Sequence, residues 1–198
     1  MIAIIDYGMG NLRSVQKAFE FLGFDAVVTD DPKIIESAQK VVLPGVGAFC
    51  EAIKTIREKG IDKVIHSIVE KGTPFLGICL GMQMLFDKSY ENGEYDGLGI
   101  IPGRIVRLPE TEKIPHIGWN SLDIKLETPL FEGIGKEPYV YFVHSYYLET
   151  DAPVVSATCF YGREIQVAAQ KGNVFALQFH PEKSGDTGLK ILENFGRI

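Results

Sequence analysis

Thr73-Pro-Phe-Leu-Gly-Ile-Cys-Leu-Gly-Met-Gln-Met-Leu-Phe86 opens as a short apolar run and closes with Leu80, Met84 and Leu85 at helical spacing. A buried strand running directly into a helix has that pattern. Cys79 stands at the junction, with Gly77 and Gly81 two residues to either side. A nucleophile on a sharp strand-to-helix turn needs small flanking residues, because bulkier ones collide with neighbouring backbone; the serine form of this turn is G-x-S-x-G. The turn lifts the sulfur clear of the sheet and aims the first helical turn at it, where free N–H groups and the positive helix end favour thiolate. Taken alone, the stretch also fits a buried structural cysteine packed beside two glycines.

Working outward, strands and helices alternate up to this point. Ile2 to Ile5 reads as a buried strand; a helix follows with Leu12, Val15, Phe19 and Leu22 on one face, Asn11 as its N-cap and Gly23 as its stop. Phe24 to Thr29 is a second strand, Asp31-Pro32 opens a short helix, and Lys40 to Leu43 is a third strand ended by Pro44-Gly45-Val46-Gly47. Two helical stretches lead to the Cys79 turn, one marked by Phe49, Ala52, Ile53 and Ile56, the other by Ile61, Val64, Ile65, Ile68 and Val69. The alternation predicts an α/β fold with a parallel centre, right-handed crossovers and helices on both faces. In such sheets sites lie beyond the carboxyl ends of the strands, where the Gly45 loop and Cys79 both fall. Two glycines after the first strand lack the G-x-G-x-x-G spacing and no Gly-Lys-Ser follows, so no dinucleotide site is expected.

Beyond residue 86 the rhythm changes. Residues 87 to 99 read as a surface loop. Ile100 to Leu108, Ile114 to Ile124, Tyr139 to Leu148, Val154 to Tyr161, Gln166 to Gln170 and Val174 to Phe179 read as strands, several joined by short turns, and are expected as antiparallel additions to the sheet. A helix from about Asp186 to Phe195 closes the chain.

The 198 residues suffice for one α/β domain, residues 1–198, with no linker suggesting two. A net charge of -6 argues against a nucleic-acid or anionic-membrane binder, which needs a basic face. Three widely spaced cysteines, at 50, 79 and 159, with no CxxC fit reduced thiols better than a disulfide framework. Met1-Ile-Ala-Ile-Ile5 is too short for a signal segment and no stretch could span a bilayer, so a cytoplasmic location is expected.

Phe179-His180-Pro181-Glu182 ends the final strand. In extended backbone, residues two apart share a face, so His180 and Glu182 can point the same way, and Pro181 suits a strand end. An imidazole held by a carboxylate is what a cysteine nucleophile needs: the carboxylate fixes the tautomer, and the imidazole takes the thiol proton and returns it to the leaving group. Without Cys79 upstream, this would read as a strand-end histidine with an incidental acidic neighbour. Leu80 N–H, just after the nucleophile, is one oxyanion donor by construction of the turn; the Pro44-Gly45-Val46-Gly47 loop is the natural source of another. His66, His116 and His144 are less compelling, with His66 on or beside a helix surface. The four histidines lack metal-site spacing, so neither metal nor cofactor is expected.

Assembled, these residues resemble the class I, or triad, glutamine amidotransferases. Gly77-Ile-Cys-Leu-Gly-Met-Gln83 matches that family's G-x-C-x-G-x-Q motif and His180-Pro-Glu182 its His-x-Glu, in the same order and about a hundred residues apart. The resemblance implies a flavodoxin-like fold, with Cys79 as nucleophile, His180 as base and acid, and Glu182 as orienting carboxylate. It implies further that Gln83 and the main chain near Ser145 and Tyr146 hold glutamine, and that Val46, beside Gly47, supplies the loop N–H of the oxyanion hole. Ile5-Asp-Tyr-Gly-Met-Gly-Asn-Leu-Arg-Ser14, Pro44-Gly-Val-Gly-Ala-Phe49, Pro115-His-Ile-Gly-Trp-Asn120, Tyr141-Phe-Val-His-Ser145 and His180-Pro-Glu-Lys-Ser184 are similar to the glutaminase subunits of imidazole glycerol phosphate synthase, the HisH family.

That similarity implies a heterodimer with a (βα)₈-barrel synthase (cyclase) subunit, toward which Asn11, Trp119, Tyr141 and Lys183 would lie and into which ammonia would pass. Trp119 could equally be the core tryptophan of a strand. The implied overall reaction turns a phosphoribulosyl formimino carboxamide nucleotide and glutamine into imidazole glycerol phosphate, an aminoimidazole carboxamide ribonucleotide and glutamate. The isolated chain is expected to be a poor glutaminase, because the Gly-Val-Gly loop can hold the Val46 N–H turned away until partner and nucleotide shift the population. The competing readings are the glutaminase of pyridoxal phosphate synthase, a non-catalytic scaffold subunit, and a redox-sensing protein with cysteine on a similar turn.

Overall fold

Ile2, Ala3, Ile4 and Ile5 are all buried, yet they divide between two cores: Ala3 and Ile5 pack on one side of a central sheet, Ile2 and Ile4 on the other. Alternate side chains of a strand point to opposite faces, so a strand apolar at every position requires cover on both. The computed structural model describes all residues, Met1–Ile198, and supplies that cover with helices. The elements are β1 (Ile2–Ile5), α1 (Leu12–Phe21), β2 (Ala26–Thr29), α2 (Pro32–Ser37), β3 (Lys40–Gly45), α3 (Phe49–Glu58), α4 (Ile61–Glu70), β4 (Phe75–Cys79) and α5 (Leu80–Gln83). There follow β5 (Lys88–Ser89), β6 (Tyr95–Asp96), β7 (Arg104–Arg107), β8 (His116–Ser121), β9 (Asp123–Ile124), β10 (Tyr139–His144), β11 (Tyr146–Glu149), β12 (Val155–Tyr161), β13 (Arg163–Lys171), β14 (Val174–Leu177) and α6 (Gly185–Arg197). Ile35 of α2, Phe49, Ile53 and Ile56 of α3 and Ile61, Ile65 and Ile68 of α4 join the first core; Val15 and Phe19 of α1 and Ile191, Leu192 and Phe195 of α6 join the second. No helix is long and apolar enough to cross a membrane.

The main sheet runs β2-β1-β3-β4-β14-β13-β11-β7-β5-β6, and β2 through β14 are mutually parallel. This corrects the expectation for residues 174–179. β14 is antiparallel to β13, but on its other side it lies parallel to β4, with Leu177 opposite Ile78. Burial explains the placement: all four residues of β14 are buried, as a strand inside a covered sheet requires. The consequence is functional, because the carboxyl ends of β4 and β14 now sit side by side.

Other expectations needed trimming. Residues 87 to 99 carry the small β5–β6 hairpin at the sheet edge rather than only a loop. The expected strand Tyr139 to Leu148 breaks at Ser145: β11 joins the main sheet, while β10 pairs only with β8 in a separate two-stranded sheet. That antiparallel ladder therefore stands off the main sheet rather than adding to it.

Candidate active site

Cys79 ends β4 with φ 55 and ψ -112, a left-handed conformation that a side-chain-bearing residue adopts only where its surroundings enforce it. The two flanking glycines are that enforcement. A Cβ on Gly77 would lie 2.9 Å from the carbonyl oxygen of Gly81, and a Cβ on Gly81 would lie on the carbonyl oxygen of Leu43 in β3. The turn thus packs backbone against backbone, and only glycine fits. The helix behind it is one turn long, Leu80–Gln83, which corrects the expectation of a substantial helix dipole aimed at the sulfur. Side chains from other elements complete the surroundings of the sulfur.

The foremost of these is His180, buried at 2 % exposure. Its Nδ1 donates to Glu182 Oε1 at 2.9 Å, and its Nε2 is buried with no hydrogen bond within the chain. Burial opposes a charge on this imidazole, but the nearby Cys79 and Glu182 outweigh it and raise the pKa to about 9. The His180–Glu182 pairing does not come from strand periodicity, as expected from sequence. β14 stops at Leu177, and Pro181–Lys183 forms a 3₁₀ turn that folds the carboxylate back under the ring. Ser184 fixes that turn to β10: its Oγ donates to the His180 carbonyl at 2.6 Å and accepts from Tyr141 N–H at 2.9 Å, while His180 N–H donates to the Tyr141 carbonyl at 3.0 Å. Asn11 begins α1 but its side chain does not cap the helix; Nδ2 donates to Glu182 Oε1 at 3.3 Å and Oδ1 accepts from Ser14.

A cavity of about 360 Å³ opens over the sulfur, and Val46, Gly47, Leu80, Gln83, Ser145, Tyr146 and His180 all line it with Cys79. Every residue expected at the oxyanion and glutamine positions is therefore gathered around one space. The polar atoms differ from the simplest expectation. Gln83 Nε2 donates to the Tyr146 carbonyl at 3.2 Å and to Gln178 Oε1 at 3.0 Å, so Oε1 is the atom of this amide without a protein partner. The Tyr146 carbonyl also accepts from His144 Nδ1 at 2.9 Å, which occupies both its lone pairs. A larger groove of about 660 Å³ lies elsewhere; its Arg104 pairs with Glu149 at 2.6 Å, its Lys88 pairs with Glu94, and neither cysteine nor histidine lines it.

Three contributors were not found from sequence. Gln178, fully buried, sets Nε2 3.9 Å from Cys79 Sγ; its place follows from the parallel β4–β14 register. Glu91 is an acidic group in the cavity wall, and its Oε2 accepts from Phe49 N–H at 2.8 Å, at the start of α3 just beyond the Gly47 loop. His144 also lines the cavity. The alternation of the β10 pattern was the available signal for His144, since its neighbours Phe142 and Val140 are apolar and inward. Trp119 is 55 % exposed and packs edge-on against Tyr141 with centroids 6.1 Å apart, so it is not a core residue. With exposed Lys183 it lies on the outer side of the β8–β10 ladder and its adjoining turn; His66 is exposed on α4.

The model of the family "Glutamine amidotransferase class-I" matches residues 3–197. The chain is 55% identical to the imidazole glycerol phosphate synthase subunit HisH of Caldanaerobacter subterraneus subsp. tengcongensis, covering 100% of this chain and 98% of that one. It is 53% identical to the protein of the same name from Aquifex aeolicus, over 98% of this chain and 95% of that one. Among solved structures, PurLQS from Thermotoga maritima superposes with a TM-score of 0.77 at 22% identity, covering 98% and 96% of the two chains, which shows the fold alone. A match of this extent to the family, on a chain whose cysteine turn and histidine converge on one cavity, makes it a member of the class I glutamine amidotransferases.

Proposed function

We propose that this chain is the glutaminase subunit of an imidazole glycerol phosphate synthase, acting in the cytoplasm as a single domain and passing ammonia to a barrel-shaped synthase subunit in histidine biosynthesis. The observation that carries the chemistry is the convergence of Cys79, His180 and Glu182 at the paired carboxyl ends of β4 and β14. The partner and product are supported by relatives of the same length that are more than half identical.

In this reading glutamine lies in the cavity with its side-chain amide over the sulfur. The thiolate attacks the amide carbon, and the oxygen that becomes negative is met by N–H groups of Leu80 and of the Val46–Gly47 loop. Glu182 fixes the His180 tautomer so that Nε2 is the atom facing the reaction. The proton on Nε2 goes to the departing nitrogen; ammonia leaves and a glutamyl thioester remains. The now neutral imidazole takes a proton from water, the hydroxide opens the thioester, and glutamate is released with the thiolate restored. Gln178 donates toward the sulfur throughout. The Glu91 carboxylate, in the cavity wall, is suited to the α-ammonium of the substrate and ties that contact to the start of α3.

Ammonia released into neutral water would be protonated and lose its nucleophilicity, so transfer requires a covered route. Trp119, Tyr141, Lys183 and Asn11 mark the face we assign to the synthase subunit. Co-purification with that subunit, followed by a glutamine-dependent product assay, tests the reading: product formed with glutamine and lost on Cys79→Ala is expected, whereas a Cys79→Ala complex with unchanged glutamine-dependent turnover would make the chain a scaffold. Glutamate release should also rise when the synthase and its nucleotide are added, through turning of the Val46 N–H toward the oxyanion; equal rates would remove this regulatory step.

A further inference from the structure

Behind the glutamine cavity, the inner side of the β8–β10 ladder carries two histidines that the chemistry above does not use. His116 and His144 are directly paired across the strands, and they are buried at 3 % and 6 % exposure. Alternation along the same strands puts Ile117 and Trp119 on the outer side, at 60 % and 55 % exposure. One thin ladder therefore presents apolar and aromatic groups outward and imidazoles inward.

The hydrogen bonds of the imidazoles fix their tautomers without ambiguity. His144 Nδ1 lies 2.9 Å from the Tyr146 carbonyl, which can only accept, so Nδ1 carries the proton and Nε2 has the lone pair. His116 Nδ1 lies 3.0 Å from that Nε2 and must donate to it. His116 Nε2 is then the acceptor, with Asn120 Nδ2 3.5 Å away and donating. Asn120 also donates to the Phe160 carbonyl at 2.9 Å, anchoring the outer end. The His116 ring is clamped between Tyr161, with centroids 4.0 Å apart, and Phe142, 4.8 Å apart. All the bonds point one way, from Asn120 to the Tyr146 carbonyl. Burial keeps both rings neutral, lowering His116 to about 4 and His144 to about 3, so each retains the lone pair the sequence of bonds requires.

We propose that His116 and His144 are positioning residues: a two-imidazole strut that holds the Tyr146 carbonyl, and through it the Gln83 amide, in the geometry that binds glutamine, and that ties this geometry to the outward-facing β8–β10 ladder. The Tyr146 carbonyl is the shared acceptor of His144 and Gln83, and Gln83 continues to Gln178 and the sulfur. A shift of the ladder is thus felt at the substrate amide without any group touching both. The proposal rests on the glutaminase reading for its substrate, but not for its hydrogen-bond directions.

Two variants separate the strut from simple packing. His116→Phe keeps the ring stacked between Phe142 and Tyr161 and removes the donor; His116→Asn can return a donor to the place of Nδ1. In the complex with the synthase subunit, His116→Phe should raise the KM for glutamine about five- to tenfold with kcat changed less than about threefold, since one buried hydrogen bond is lost. His116→Asn should bring KM back to within about twofold of wild type. Nitrogen-15 NMR of the unaltered chain should show both rings neutral and protonated at Nδ1, His144 toward the Tyr146 carbonyl and His116 toward His144 Nε2. A KM unmoved in His116→Phe, an asparagine variant no better than phenylalanine, or a wild-type His144 protonated at Nε2 would each overturn the proposal, the last without any variant needing to fold. Loss of the glutaminase reading would show differently, as glutamate release surviving Cys79→Ala with the NMR assignment intact.

Discussion

Glu182 Oε1 receives hydrogen bonds from His180 Nδ1 at 2.9 Å and Asn11 Nδ2 at 3.3 Å, with the carboxylate side chain only 1% exposed. A buried charge needs such partners, and its proposed return is to hold the imidazole with Nε2 toward Cys79 and to favour the imidazolium. Glu182→Gln keeps the shape and removes the charge. The expected result is a kcat for glutamate release reduced on the order of 10²- to 10⁴-fold with little change in KM, measured by steady-state kinetics of the complex. A KM effect alone would assign the carboxylate to substrate binding. Cys79 and the His-x-Glu pair were legible because each motif combines a rare residue type with a fixed neighbour. Gln178 and Glu91 were not, since an amide and a loop carboxylate acquire a role only when a distant element brings the sulfur or the cavity beside them.

The cysteine turn is held by contact between elements rather than by its own hydrogen bonds. α5 presses its first turn onto β3, and Gly81 is the residue that lets it. Gly81→Ala must push the turn away from the Leu43 carbonyl, so the expected cost is on the order of 3 kcal/mol or more, read as a lower midpoint in urea together with loss of glutaminase activity. The β8–β10 ladder is the other element with a marked division of labour. Its exposed Trp119 is the kind of aromatic that anchors an interface, and Trp119→Ala should weaken binding of the synthase subunit by about 2 kcal/mol, roughly thirtyfold in Kd by calorimetry, while leaving the melting temperature of the chain unchanged. Element boundaries were the least legible part of the fold. The expected strand through residues 139–148 is continuous in hydrophobicity, but the break at Ser145 sends its halves to different sheets, and pairing of that kind is decided by distant partners.

Across the whole molecule, the alternation of apolar strands and amphipathic helices made the parallel half of the sheet readable, and the two cores confirm that each face is covered. What periodicity could not supply was the neighbour of β4, because a buried four-residue strand looks the same in either direction. The imidazoles give the molecule a further collective property. His116 and His144 are neutral in the folded chain, with pKa values lowered by burial to about 4 and about 3, so unfolding takes up protons as pH falls below about 6.5. His180 has the opposite sign: its pKa is raised to about 9, so its contribution is fully present below about 6.5 and lost as pH rises toward 9. Urea titrations across pH should therefore place the imidazole contribution to stability at a maximum near pH 6.5, and Cys79→Ala should flatten the alkaline side. Glutamine hydrolysis by the proposed route passes through a covalent bond to one sulfur. Acid-quenching the synthase complex during turnover with glutamine and mapping the modified peptide by mass spectrometry should find a glutamyl thioester on Cys79 alone of the three thiols. An adduct on Cys50 or Cys159, or glutamate released from a complex that never carries one on Cys79, would contradict it.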